Sequence, residues 1–540
     1  MLKQVFKATP KMIIALLFAT LCTFLDGMVY VKMMGLLDYA LIGDIENLTR
    51  KIPSLILFAS LLIPIGIITS LTKGWYRKNA NITMKRFYVN GVFRKDISEF
   101  QKENTANYLS KLTNDCNTLD VNFIEGIYSI GNGLANFAVG MWIIATVNPW
   151  MILLSIGVTG VNVLISILMN KPVSKSYKER SDMFDSYTSY IKEVLSAFHI
   201  VKTNNLVDKV KNDYYGKSEA IQQKGYLIER MLSFIFAAQN FLMNTSLYIV
   251  ICTLGYLAIQ GKITVAGILI VSEGMRRMAW PLMMLSEAFP KVFSSNELSK
   301  KISNSLNNSD TYEEKEALHE FKDKIELRDV GFHYEDDDKK PILEDVNLTI
   351  KKNGKYLIVG PSGGGKSTLL KLLRKYFKAT TGEIFIDGIP LRDVKKEDYF
   401  SMIANVEQQV FIFEDTLLNN ITLYKSYTKE EIERALQSSG LMEFVKALSN
   451  GLDTMLYDNG KNISGGERSR IVIARAMLAK ASILFLDEAF ASLDMERAKE
   501  IEKTILSLED ITVINVSHVI FKETKNQYDG VFHVKGTVSV

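Results

Sequence analysis

The feature that most constrains this chain is a set of six long apolar runs, all within its first 300 residues. A helix needs about 20 mostly apolar residues to cross a bilayer. Three residues separate the third run from the fourth, and four separate the fifth from the sixth. The pattern predicts six membrane-spanning helices, with tight hairpins joining these two pairs. The runs cover residues 12–33, 52–72, 127–147, 151–169, 234–259 and 264–285.

Loop charge gives the predicted orientation. Basic residues gather before the first run and after the second and fourth runs, and they are sparse between the other runs. Because positive residues mark the cytoplasmic side, we expect both termini and both long loops in the cytoplasm. A buried helical core in a soluble protein would not show this matched polarity. The sparse side carries only Arg50, Lys51 and Lys262.

Composition excludes several classes of protein. The chain has 64 basic and 60 acidic residues, a net charge of +4, whereas a dedicated nucleic-acid binder shows a strong basic excess. Three scattered cysteines, Cys22, Cys116 and Cys252, are too few for a disulfide scaffold or a zinc cluster. Because the net charge is small, we expect no nucleic-acid partner.

The apolar runs stop near residue 300, and a polar stretch follows at 303–310. We predict a six-span domain over 1–302, a linker over 303–318 and a second domain over 319–540. The two long cytoplasmic loops have few prolines and mixed charge, which favours helices that extend beyond the bilayer. Because such helices reach far from the membrane, we expect their far ends, around 100–120 and 200–208, to contact a protein segment in the cytoplasm.

The second domain contains a phosphate-binding loop. An apolar strand over 356–359 leads into a GxxxxGKS motif, and an apolar helix follows, which is the context that this motif requires. Glycines let backbone N–H groups turn onto phosphate oxygens, and the helix N-terminus adds positive potential. We expect Lys366 to reach the β- and γ-phosphates and Ser367 to bind Mg²⁺. The predicted loop residues are Gly360, Pro361, Ser362, Gly363, Gly364, Gly365, Lys366, Ser367 and Thr368.

A second apolar strand, over 483–486, ends in two adjacent carboxylates. Ligands of parallel sheets bind at the carboxyl ends of the strands. We therefore expect Asp487 to hold the Mg²⁺ shell and Glu488 to activate water as a general base. Between the two motifs, Ser464, Gly465 and Gly466 open a helix, which predicts a second anion cradle. Two cradles in one chain indicate that ATP lies between two copies.

Together these motifs resemble ATP-binding cassette transporters, specifically exporter half-transporters with six spans fused to one nucleotide-binding domain. The resemblance covers nearly the whole chain. It implies a multi-domain fold, with an all-α six-helix transmembrane domain and an α/β P-loop NTPase domain. It also implies ATP and Mg²⁺ as ligands, coupling helices near 100–120 and 200–208, and export driven by an ATPase.

The resemblance also assigns roles residue by residue. Tyr334 matches the aromatic residue that stacks on adenine, and Gln408 matches the glutamine that senses Mg²⁺ and the water. Ser464, Gly465 and Gly466 match the signature that contacts ATP on the opposite subunit. Asp494 matches the loop that crosses the dimer interface, and His518 matches the histidine that contacts the γ-phosphate. The implied catalytic residues are Glu488, His518, Gln408 and Lys366, and the implied metal ligands are Ser367, Gln408 and Asp487.

Three positions depart from the family pattern. Glu467 stands where the signature usually ends in glutamine, and Val519 stands where an arginine usually follows the histidine. The stretch 457–460 lacks the usual glutamate of the exporter's cross-link loop. None of these changes removes a phosphate ligand or the base, so they bear on coupling and on partner choice.

Partner and direction stay open at this point. A homodimer is expected because one chain carries every catalytic element. The expected location is a bacterial cytoplasmic membrane. The alternatives are one half of a heterodimer, or an importer or regulatory variant. The transported substrate is expected to be a peptide or an amphipathic compound.

The sixth run contains three charged residues, Glu273, Arg276 and Arg277, spaced to share one helix face. Charged side chains inside the hydrocarbon layer of a membrane are energetically costly unless they form ion pairs or face a cavity. Two interpretations follow. These three residues are either a self-neutralising link between helices or a substrate site with one excess positive charge, and Asp26 from the first run is a candidate to join them.

Overall fold

A computed structural model describes residues 1–308, 312–334, 341–490, 493–517 and 521–539, leaving aside several side chains between 158 and 290. The chain divides into two compact units. The membrane unit comprises residues 1–95 and 103–307, and the nucleotide-binding unit comprises 96–102 and 308–540.

Helices occupy almost all of the first 304 residues. A 3₁₀ turn, Phe6–Ala8, and two π-helical stretches, Lys111–Asp115 and Asp120–Ile124, lie between or within them. The α-helices are α1 (Leu2–Val5), α2 (Thr9–Ile42), α3 (Ile45–Phe93), α4 (Ile97–Gln101), α5 (Thr105–Ser110), α6 (Cys116–Leu119), α7 (Glu125–Ala145), α8 (Trp150–Ser196), α9 (Phe198–Thr203), α10 (Val207–Ile259) and α11 (Val265–Asn304).

The six predicted runs fall on six long helices, namely α2, α3, α7, α8, α10 and α11. In the described part of the chain, four stretches are long and apolar enough to cross a membrane: Leu2–Ile42, Ile45–Phe93, Thr105–Ala145 and Val207–Ile259. Helix α11 carries three charges within its run, and much of the run in α8 falls on side chains outside the description.

Local chemistry explains the helix ends and one close crossing. Gly43 ends α2 in the left-handed region at φ 78°, and the Asp44 side chain then caps α3 by accepting from the Asn47 N–H. Helices α7 and α11 cross at Gly140 and Gly274. A Cβ on Gly274 would lie 2.5 Å from Ile144 Cγ1 and 3.0 Å from Gly140 O. Small residues of this kind let membrane helices approach closely.

The nucleotide-binding unit is an α/β domain with two sheets. Its strands are β1 (Lys324–Phe332), β2 (Leu343–Lys351), β3 (Lys355–Val359), β4 (Thr381–Ile386), β5 (Ile389–Pro390), β6 (Ile403–Val406), β7 (Ile483–Asp487), β8 (Thr512–Val516), β9 (Gly530–Lys535) and β10 (Thr537–Ser539). Its helices are α12 (Lys366–Leu373), α13 (Lys396–Met402), α14 (Leu417–Thr422), α15 (Lys429–Ser438), α16 (Met442–Ala447), α17 (Gly465–Leu478) and α18 (Met495–Leu506). The predicted fold class is confirmed.

The order of the strands in the two sheets determines where the candidate site lies. One sheet runs β10-β9-β3-β8-β7-β6, and all its neighbours are parallel except β9 and β10. The other sheet is antiparallel, with the order β2-β1-β4-β5. Every residue of β3 and β8 is buried. The parallel strands therefore deliver the segments after β3, β6 and β7 to one edge.

The long cytoplasmic loops differ in detail from the expectation. Helix α4, at 97–101, groups with the nucleotide-binding unit, and Lys396 Nζ lies 2.6 Å from Asp96 Oδ1 just before it. Of the predicted segment 100–120, only its first three residues belong to this unit. The second predicted segment, 200–208, spans the end of α9 and the start of α10. The coupling role of both segments stays a prediction.

Candidate functional site

The phosphate-binding loop links β3 to α12, as its motif predicts. Lys366 is buried at the first turn of α12, and its Nζ donates to Gly360 O and to Pro361 O, both at 3.0 Å. An ammonium has three N–H donors, so a third remains for an anion. Ser362, Gly363 and Ser367 are exposed, and Thr368 is buried.

Glycine is required in this loop for two reasons. A Cβ on Gly360 would lie 2.1 Å from Val534 O, and one on Gly364 would lie 2.7 Å from the same atom. Gly363 and Gly365 adopt φ values of 77° and 96°, where L-residues are strained. Strand β9 therefore packs directly on the loop backbone and leaves no room for a side chain at Gly360 or Gly364.

The two predicted acids lie at the end of β7, and Gln408 reaches them from the loop after β6. Gln408 Nε2 donates to Glu488 Oε2 at 2.7 Å. Glu488 adopts a left-handed φ of 51°, and its backbone N–H donates to Val516 O on β8. Burial raises the pKa of the Asp487 carboxyl, and nearby Arg374 opposes that shift. The structure thus brings Gln408, Asp487 and Glu488 to one sheet edge.

Sequence reasoning missed Arg374, which follows α12. Its guanidinium is almost fully buried, with Nη1 3.8 Å from Glu407 Oε1 and 3.9 Å from Asp487 Oδ2. Burial lowers the pKa of this guanidinium, and the neighbouring acids oppose the change. The sequence did contain a signal for Arg374: it is a basic residue directly after the apolar helix that starts at the phosphate loop. Arg374 is therefore within ion-pair distance of an acid in the segment after β6 and of the acid that ends β7.

The predicted adenine residue sits beside the loop helix. Tyr334 follows β1, and its ring packs edge-on against Phe332 and Phe377, with centroids 5.0 and 5.7 Å away. Its hydroxyl lies 3.5 Å from Thr368 Oγ1. The half-buried ring is therefore held near the phosphate loop, where stacking on a base is possible.

The signature residues open helix α17. Ser464 Oγ accepts from the Glu467 N–H at 3.3 Å, and the Glu467 carboxylate accepts from the Ser464 N–H at 2.7 Å, a complete capping box. Glutamine and glutamate both suit this position of the box. The departure at Glu467 therefore keeps the helix cap, and the Ser464 hydroxyl hydrogen remains available to donate. Gly465 and Gly466 form the first turn of α17.

Two further residues, Asp494 and His518, were predicted to act at a dimer interface. Asp494 caps α18 by accepting from the Arg497 N–H at 3.0 Å, and its side chain is largely exposed. His518 lies outside the described residues. Within the described ranges, neither Ser464 nor Asp494 forms a hydrogen bond to the phosphate loop of its own chain.

The donor set fits a magnesium ion. Mg²⁺ prefers oxygen ligands and is usually held by one or two carboxylates together with substrate phosphates. Helix α12, which carries Ser367, packs on β7, which ends at Asp487. Within the described residues, no group of three His, Cys, Asp or Glu side chains is spaced to hold a metal by itself. These residues therefore allow a Mg²⁺ site in which phosphate oxygens of the nucleotide supply the other ligands.

In the membrane unit, the charged residues of α11 form one continuous ion-pair series with α2. Glu273 Oε1 accepts from Arg276 Nη2 and from Arg277 Nε, each at 2.8 Å, and Oε2 accepts from Arg276 Nε at 2.8 Å. Arg277 Nη2 also bonds to Asp26. With Asp26 included, two acids balance two arginines, and the choice between a structural link and a substrate site stays a prediction.

Comparisons with known proteins agree over both halves. The ABC transporter transmembrane region family matches residues 12–282, and the ABC transporter family matches residues 343–491. A protein named ATP-dependent lipid A-core flippase from Vibrio parahaemolyticus serotype O3:K6 is 27% identical over 494 residues, 89% of this chain and 84% of the relative. The uncharacterized ABC transporter ATP-binding protein YfiC of Bacillus subtilis (strain 168) is 26% identical over 498 residues, 89% and 80% of the two chains.

A solved structure shares the fold. The structure of a bacterial Atm1-family ABC exporter with ATP bound superposes with a TM-score of 0.82, over 99% of this chain and 94% of that one. The two sequences are 19% identical, so the likeness concerns the fold alone.

Proposed function

This chain belongs to the ABC transporter family, as an exporter half-transporter whose ATPase is coupled to transport, and we propose that its working form is a homodimer. The observation that carries the proposal is that one chain holds both parts of a composite ATP site. The phosphate loop, Gln408 and Glu488 lie at the sheet edge, and Ser464 caps a separate helix with its hydroxyl hydrogen available. Two copies complete two such sites.

The proposed chemistry follows from the positions of these side chains. Glu488, oriented by the hydrogen bond from Gln408, takes the proton of the attacking water. Lys366 and the Ser464 hydroxyl of the second copy donate to the oxygens of the transferring phosphoryl group. His518 and Asp494 are proposed to act at the same interface, and Tyr334 is proposed to stack on adenine. Mg²⁺, held by Ser367, Asp487 and Gln408, would supply charge neutralisation for the phosphates.

We place both termini and both long loops of this multi-pass protein on the cytoplasmic side of a bacterial cytoplasmic membrane. The support is the distribution of basic residues between the runs. The grouping of helix α4 with the nucleotide-binding unit also fits, because that unit needs cytoplasmic ATP. Segments near 96–102 and 200–208 are then proposed as the coupling helices, the second of them acting on the partner subunit.

We propose an amphipathic, lipid-like compound as the substrate rather than a peptide. Several relatives across most of the chain are named lipid A-core flippases, and lipid A-core is an amphipath. The charged series around Glu273, Arg276, Arg277 and Asp26 supplies polar contacts within the mostly apolar runs of α2 and α11. The polar head of such a compound would contact the charged side chains, and its apolar tail would contact the apolar side chains of the helices.

The experiment is ATPase activity of the purified chain in proteoliposomes. Hydrolysis by this chain alone supports the homodimer, and hydrolysis that needs a second transporter protein supports a heterodimer instead. For direction, inverted vesicles should accumulate a labelled amphipath when ATP is supplied outside. Accumulation only in right-side-out vesicles energised from within would indicate an importer.

A further inference from the structure

The charged side chains of α2 and α11 alternate in sign along one connected series: Asp26, Arg277, Glu273, Arg276. Arg277 bonds to both Asp26 and Glu273, and Glu273 bonds to both arginines. The two middle members are linked on both sides. The two outer members, Asp26 and Arg276, are each linked on one side only in the described part of the chain.

Burial follows the same order. The side chains of Glu273 and Arg277 are 9% and 11% exposed, whereas those of Arg276 and Asp26 are 65% and 52% exposed. Glu273 accepts from Nε and Nη2 of Arg276, and Arg277 donates to one oxygen of Asp26. Among the described residues, none forms a hydrogen bond to Nη1 of Arg276 or to Oδ1 of Asp26. The cluster therefore buries a neutral pair and presents one cation and one anion at its ends.

This arrangement is costly unless something polar meets both ends. Glu273 lies nine residues past Thr264, so it is about 14 Å deep at ~1.5 Å per residue, near the middle of a ~30 Å hydrocarbon layer. Charged side chains at that depth face a cavity or a protein partner rather than lipid tails. A buried link alone would need only the Glu273 and Arg277 pair, since that pair is already neutral.

We propose that Asp26 and Arg276 form a two-point site for a zwitterionic amphipath, with Arg276 taking the anionic group and Asp26 taking the ammonium group. The inference rests on the proposed export function and names its substrate class. A substrate with both charges leaves the site neutral, whereas a purely anionic or cationic one adds an unbalanced charge within the membrane. Arg276 is already oriented by Glu273, which preorganises its free edge for a phosphate or carboxylate.

The test compares single-chain amphipaths with the same acyl chain in proteoliposomes of the purified protein. The probes are lysophosphatidylethanolamine (zwitterion), lysophosphatidic acid (anion), an alkylamine (cation) and monoacylglycerol (neutral). An apolar zwitterionic peptide without an acyl chain separates a lipid source from a peptide source. ATPase stimulation and thermal stabilisation by each probe are both recorded, so the ranking is also obtained from protein that hydrolyses no ATP.

The wild-type chain should respond to the zwitterion at a concentration about tenfold or more below that needed for the other probes, the value of one charged hydrogen bond. Arg276→Gln should lose the preference over the cation, and Arg276→Lys should restore part of it. Asp26→Asn should lose the preference over the anion. Lys300→Gln, an exposed position on the same helix, should keep the wild-type ranking.

Equal response to monoacylglycerol, response to the peptide alone, or an unchanged ranking in Arg276→Gln and Asp26→Asn would overturn the zwitterion site while leaving ATP-driven export intact. Absence of ATP hydrolysis together with probe stabilisation in the expected order would instead count against the proposed function of the isolated chain and support the site. The two proposals therefore fail in different ways.

Discussion

Gln408 and Glu488 are joined by a hydrogen bond of 2.7 Å from Nε2 to Oε2, although 80 positions separate them in the chain. Parallel pairing of β6 with β7 brings the two loops together. Glu488 adopts φ 51° at the turn directly after β7. This pair fixes the position of the proposed base before any ligand contact.

Glu488→Gln should abolish steady-state hydrolysis while ATP still binds. An amide of the same shape keeps the contact with Gln408 but cannot accept the proton of the water, so we expect a loss of about 10²–10⁴-fold in kcat. Phosphate release and binding of a fluorescent ATP analogue measure the two properties. Glu500→Gln, an exposed acid on α18, is the matched control and should hydrolyse ATP normally. Near-normal turnover in Glu488→Gln would remove this residue as the base.

Gln408→Ala should lower kcat by about tenfold or more and change the KM for ATP much less. The variant frees the Glu488 carboxylate to rotate, and misorientation of a catalytic group costs rate rather than ground-state binding. Gln409→Ala changes the same residue type one position on, at an exposed site, and serves as the control. A rise in KM with unchanged kcat would show that Gln408 only contributes to binding.

Gly274→Ala should destabilise the membrane unit because its Cβ would lie 2.5 Å from Ile144 Cγ1. Overpacking of this kind costs about 1–3 kcal/mol. Gly255→Ala, on α10 with no atom within 4 Å of its added Cβ, is the paired control and should be neutral or stabilising. Thermal unfolding in detergent measures both. Equal melting temperatures for the two variants would contradict the close crossing of α7 and α11.

Glu502→Gln should stabilise the protein progressively as pH rises. Glu502 is buried, accepting from Thr524, Tyr528 and Asn515, and burial raises the pKa of its carboxyl above the usual 4.5. A raised folded pKa gives stability that is present below the unfolded pKa and lost as pH rises through the folded one. Glutamine does not titrate.

The measurement is the melting temperature of the full chain at pH 5 and pH 8. The advantage of Glu502→Gln over the wild type should be larger at pH 8. Glu509→Gln, an exposed acid of the same unit, should show no such trend. A difference between Glu502→Gln and wild type that stays constant with pH would mean that the carboxyl is not perturbed by its burial.

The membrane runs, the phosphate loop and the acid pair at the end of β7 could be predicted from sequence. Each is a contiguous pattern, in which chain order and spatial order coincide. The fold class followed from the same patterns, since apolar length and strand–loop–helix order are local properties. The capping role of Glu467 was also accessible, because a Ser-x-x-Glu pattern opens α17.

Other features came only from tertiary packing. Arg277 meets Asp26 across 251 positions, and Arg374 meets Glu407 and Asp487, because particular faces of separate elements pack together. The sequence by itself determined which segments are apolar enough to cross a membrane and which segment carries the phosphate-loop motif, since those depend on local composition and motif. The tertiary structure decided which charges neutralise one another and which stay exposed, because ion pairing depends on distances of a few ångströms between residues that are remote in the chain.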